Sequence, residues 1–167
     1  EQIADTIVRC IDAKDLRKAL AICQQLNREH ADYAYGWYLA SFLMQKVRHY
    51  PDAIRAIDRA LQLASLDKYQ LHKIRCHFEA NDLAGAIEAA AVIKDKAFVD
   101  PLLHSQLASL LHLLGDNANA LVHYSKAIEL DPANAEHHFN RAAVQRYFGD
   151  VAGAEAGTPE PVTELLR

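Results

Sequence analysis

The sequence is short of the residues that mark sheets, membranes and nucleic-acid surfaces. Six glycines and five prolines in 167 residues, with no β-rich runs bounded by turn signals, exclude a sheet-based fold. No stretch approaches 18 consecutive apolar residues, which excludes a spanning helix, and no basic segment followed by an apolar run opens the chain, so no membrane partner and a cytoplasmic location are expected. A net charge of −4 and the lack of any run of five like charges give no general attraction to phosphate backbones, and nucleic acid is excluded as a partner. The three cysteines include no Cys-x-x-Cys pair. Cys10 and Cys23 fall on facing helices where small apolar residues are wanted, so they read as packing thiols. A Gly-rich phosphate loop, a nucleophile elbow and an HExxH motif are all missing, so neither catalysis nor a cofactor is expected. Nine histidines raise the question of a metal, above all His137 and His138 with His104 and His112. The adjacent His137 and His138 would point roughly 100° apart on a helix and have no carboxylate at i+3 or i+4, so the histidines read as packing or surface residues and no metal is expected.

What the chain does have is a core-forming composition, 51% hydrophobic, and a pattern that recurs. The stretch Gly115 to Pro132, GDNANALVHYSKAIELDP, states it most fully. Steps of 34 residues align Asn81-Asp82, Gly115-Asp116 and Gly149-Asp150 in one column and Ala86, Ala120 and Ala154 in another, which Ala53 and Ala19 continue backwards. Apolar residues recur at helical spacing on both sides of each turn-like pair, as in Ile3, Ile7, Val8 and Ile11, then Leu16, Ala19, Leu20, Cys23 and Leu26. A helix-turn-helix unit repeated about five times accounts for this.

The 34-residue period, the column alanine, Trp37 in its place in the second unit and the closing Asp131-Pro132 resemble the tetratricopeptide repeat family. The resemblance covers residues 1–156 and implies an all-α, right-handed α-solenoid of about five repeats, near 1–33, 34–66, 67–100, 101–134 and 135–156. The third repeat is the least regular, because LAGAIEAAAVIKD is thin in large side chains and buries little area. The fifth is incomplete, since Gly157, Pro159 and Pro161 stand where its second helix would continue. Residues 157–167 read either as a linker and the start of a following segment or as the cut edge of a longer protein. The stretch NRAAVQRYFGD is also similar to tetratricopeptide arrays in front of bacterial sulfotransferase domains, which implies an alternative role as the regulatory or substrate-presenting arm of an enzyme.

In the family, six positions of each first helix line a concave groove. Carried over, they give Tyr35, Tyr38, Leu39 and Phe42, then Lys68, His72 and Arg75, then Gln106, Ser109 and His112, and lastly Asn140 and Arg146. An aromatic wall beside a basic floor suits an extended, acidic peptide or protein partner. The other reading of Tyr35, Tyr38 and Phe42 is that they fill the gap to the first repeat. The co-chaperone carboxylate clamp is absent: its five positions carry Asp5, Arg9, Leu39, Lys68 and His72. Self-association through the incomplete fifth repeat is a further expectation, because Phe148 and Val151 would present an apolar face.

Overall fold

The computed structural model describes the fold of residues 2–156 and the side chains of residues 2–149. Its elements run α1 Gln2–Asp12, α2 Leu16–Glu29, α3 Ala34–Lys46, α4 Tyr50–Leu63, α5 Asp67–Glu79, α6 Leu83–Ala91, α7 Pro101–Leu113, α8 Asn117–Leu130 and α9 Ala135–Ala156. No strand occurs among the described residues, and no helix among them is long and apolar enough to cross a membrane. The chain divides into two compact units, Glu1–Ala97 and Phe98–Arg167.

In the first unit α1 packs on α2, α3 on α4 and α5 on α6, and neighbouring pairs meet through α2 with α3 and α4 with α5. In the second, α7 packs on α8, and α8 and α7 both pack on α9. Each pair is a hairpin closed by the same device. Lys14, Arg48, Asn81 and Gly115 have φ of 60°, 62°, 61° and 84°. The N–H three residues beyond the helix bonds back to a carbonyl five residues earlier: Asp15 to Cys10, His49 to Met44, Asp82 to His77 and Asp116 to Leu111, at 2.8–2.9 Å. A left-handed residue followed by this bond satisfies carbonyls left free at a helix end and reverses the chain. The next helix is capped where an aspartate follows, Asp15 accepting from the Lys18 N–H, Asp82 from Gly85 and Asp116 from Asn119.

The column alanines Ala19, Ala53, Ala86 and Ala120 are all fully buried, as the close approach of paired helices requires. Pro51 sits in the first turn of α4, where its missing N–H costs nothing. One column departs from the pattern. Gly149 and Asp150 repeat the turn pair, yet they lie inside the 22-residue α9, which does not reverse there. The helix continues through Val151 to Ala156, and Ala154 of the alanine column falls inside it. Gly157, Pro159 and Pro161, on which the reading of the chain's last segment rests, lie outside the described residues.

Candidate functional site

The helix α3 carries three of its four aromatic residues on one side. Tyr35, Tyr38 and Phe42 recur at spacings of three and four, so they project together. α5 packs beside α3, and Tyr69 of α5 stacks on Tyr38 with ring centroids 4.9 Å apart, while Tyr38 stacks on Tyr35 at 5.8 Å and Tyr33 meets Tyr35 edge-on at 6.2 Å. Over this tray lies the Lys68 ammonium, 5.3 Å from the Tyr35 ring centroid, 5.7 Å from Tyr38 and 5.4 Å from Tyr69. At such distances the electron-rich ring faces attract the cation and hold a long side chain that would otherwise sample many rotamers. Lys46 sits in the same way 5.0 Å from Phe42. Burial pushes the Tyr38 and Tyr69 phenols above their ordinary value, so both stay protonated at neutral pH.

Lys68 and Arg75 are exposed, and neither is in an ion pair among the described residues. The nearby carboxylates are engaged elsewhere, Asp67 with Lys96 at 2.8 Å and Asp58 with Lys73 at 2.7 Å. His72 differs from the other two cations expected here. It is 7% exposed, its Nε2 lies 3.0 Å from Ser41 Oγ and 3.4 Å from Cys76 Sγ, and its ring meets those of Tyr38 and Phe42. Burial first, then the Arg75 charge, lowers its pKa to about 4, so it is neutral at neutral pH and contributes no positive charge. The physical reason lies in its column: one repeat earlier the place belongs to Leu39, also buried, whereas Tyr35 and Phe42 correspond to Lys68 and Arg75 on the open side. Ser41 donates to the Ala53 carbonyl at 2.7 Å, so the Ser41–His72–Cys76 cluster ties α3, α4 and α5 together.

In the second unit Gln106, Ser109 and His112 belong to α7, and Asn140 and Arg146 to α9. His112 Nδ1 lies 2.6 Å from Asn117 Oδ1, and its ring meets Tyr147 edge-on at 5.5 Å. Ser109 hydrogen-bonds the buried Tyr124 phenol. Gln106 and Asn140 are half-buried, Arg146 is exposed, and Phe139, Tyr147 and Phe148 expose apolar surface on α9. Histidines that looked like metal ligands are apart or mutually bonded: His104 and His123 share an Nδ1–Nδ1 contact of 2.8 Å, His138 reaches the Pro132 carbonyl at 3.0 Å, and His137 is buried. Cys10, Cys23 and Cys76 are free thiols, all buried.

Sequence reasoning missed Tyr69, Tyr33 and Lys46, which complete the tray and the Phe42 contact. The family's groove positions do not include Tyr69 or Tyr33; Lys46 stands at the last of the six in the second repeat and was passed over.

Residues 101–146 match a family model described as TPR repeat. No curated protein matches the chain. Among solved structures, TTC0263, a thermophilic TPR protein of Thermus thermophilus, is 16% identical with a TM-score of 0.70, over 86% of this chain and 79% of that one. A MamA RS-1 ArsTM double mutant is 15% identical with a TM-score of 0.69, over 93% and 88%. YrrB, described as a TPR protein with an unusual peptide-binding site, is 16% identical with a TM-score of 0.63, over 88% and 76%. These matches lend no support to the sulfotransferase resemblance. Residues 101–146 thus match tetratricopeptide repeat sequence, and the chain has the all-α helical-repeat fold of these solved TPR proteins.

Proposed function

We propose that the chain is a non-catalytic protein-interaction scaffold whose α3–α5 face takes an extended peptide with acidic groups. The observation that carries this is the Lys68 ammonium lying over Tyr35, Tyr38 and Tyr69, exposed and without a carboxylate partner among the described residues. A cation already held by three rings loses little freedom when an anion arrives, so the ordering cost of binding is partly met beforehand. Arg75, two turns along the same helix, supplies a second anion contact, and Phe42 and Tyr38 supply apolar area between them. The spacing suits a peptide with carboxylates flanking an apolar residue. His72 acts from beneath the tray, holding Tyr38 and Phe42 in place, and Gln106, Ser109, His112, Asn140 and Arg146 are polar contacts that the second unit would offer. The peptide-binding site in YrrB's description supports a fold of this kind serving such a role.

A peptide-library screen tests the reading. Each exposed ion contact contributes about 0.5 to 1 kcal/mol and weakens with salt. Acidic sequences should be enriched, and the double variant Lys68→Ala with Arg75→Ala should weaken their binding roughly 5- to 30-fold. Hits without acidic preference, or unchanged affinity in the double variant, would remove the α3–α5 face from the account.

A further inference from the structure

The opposite side of α3 opens on a second cavity. Trp37, Ala40 and Met44 also recur at spacings of three and four, and roughly 150° of helix rotation separates them from Tyr35, Tyr38 and Phe42. With Cys23 of α2 and Ala56 of α4 they line a groove of about 480 Å³ within the first unit, a volume that suits a small molecule.

The groove exists because three columns carry small residues here. Tyr124 stands in the column of Cys23, Leu107 in that of Ala40 and His123 in that of Ala56, and all three larger residues are buried in the second unit. Paired helices with small residues at those places leave an open groove with apolar walls that stay in contact with water, an unfavourable exposure in proportion to the apolar area. A ligand that covers those walls offsets this cost.

Charge at the groove selects among apolar ligands. Arg28 and Arg55 of its lining are exposed, and Asp52 is the single carboxylate there. Asp52 is engaged by the Arg55 guanidinium and also faces His49 at 3.9 Å. Arg28 is in no ion pair among the described residues. The lining therefore carries a net positive charge with one cation uncommitted.

We propose that the α2–α3–α4 groove binds a small amphiphilic carboxylate, its apolar body against Trp37, Ala40 and Met44 and its anion on Arg28. The site is separate from the peptide face and stands or falls independently of it.

Trp37 is the chain's single tryptophan, so its emission reports occupancy directly. Octanoate, 1-octanol and octyltrimethylammonium, whose tails differ by one carbon and whose head groups differ in charge, are titrated against the full chain. Octanoate should change Trp37 emission saturably and bind roughly two- to fivefold tighter than the other two, the factor one exposed ion contact supplies. Arg28→Gln, an exposed change, should reduce octanoate to the level of octanol. Ala40→Leu, which fills the groove, should abolish the response to all three with the helical circular dichroism retained. If Ala40→Leu does not fold, the Arg28→Gln result decides alone. Equal response to the three probes, tighter binding of the ammonium, no response to any, or an octanoate preference that survives Arg28→Gln would each overturn the proposal.

Discussion

The α5–α6 and α7–α8 hairpins follow one plan and are filled very differently. Both turn on a left-handed residue, Asn81 or Gly115, both cap the second helix with an aspartate, and both bury the column alanine, Ala86 or Ala120, completely. Yet α8 runs 14 residues and buries Tyr124, whereas α6 runs nine and presents Ala90 in that column. The division between the two compact units falls just after α6, at Ala97 and Phe98. Register and packing strength are thus separate properties of a repeat: turn and alanine columns set the first, and side-chain volume sets the second.

Truncating the two members of one column should give the widest contrast. Tyr124→Ala should destabilise by about 3 to 5 kcal/mol, as for other buried aromatic truncations, and Ala90→Gly by only about 1 kcal/mol, the helix-propensity cost. Denaturant titration measures both. Equal losses would show that the columns are not equivalent.

Acid should act on both hairpins through buried histidines. His72 in α5 has a pKa lowered to about 4, and burial with the neighbouring His123 lowers that of His104 in α7. A histidine whose pKa is depressed in the fold favours the native state while neutral, so this stability is complete above the unfolded value near 6.5. It is lost as pH falls from there towards the folded value. Between pH 7 and pH 4 the His72 contribution should fall by an amount on the order of 2 to 3 kcal/mol, and His72→Gln should show a correspondingly flatter pH profile of stability than the parent. Parallel profiles would assign the acid sensitivity elsewhere.

The turns should differ least. Gly115→Ala places a side chain at a φ of 84° with open space around it, so strain alone should cost about 1 kcal/mol. Asn81→Gly should change stability by less than about 0.5 kcal/mol, because asparagine tolerates the left-handed region. Thermal melts of the two variants compare the hairpins directly.

The alanine and turn columns carried most of the fold, because close helix approach and chain reversal each demand a particular residue type at one place. The continuation of α9 through Gly149 was not legible, since glycine permits a turn without compelling one. Of the candidate site, Tyr35, Tyr38, Lys68 and Arg75 were proposed from the family's groove positions, which by themselves gave no sign that His72 is buried. Whether a column faces solvent depends on what packs over it, and Leu39 was the only hint. The groove on the far side of α3 was hidden for the same reason, since Cys23, Ala40 and Ala56 look small only beside Tyr124, Leu107 and His123.

The most direct test of the scaffold reading is an amide chemical-shift titration of the isotope-labelled chain with an acidic peptide from the library screen. Saturable shifts should concentrate in α3 and α5, around Tyr35, Tyr38, Lys68 and Arg75, and diminish with added salt. Shifts confined to α4, α6 or α9, with α3 and α5 unmoved, would contradict it.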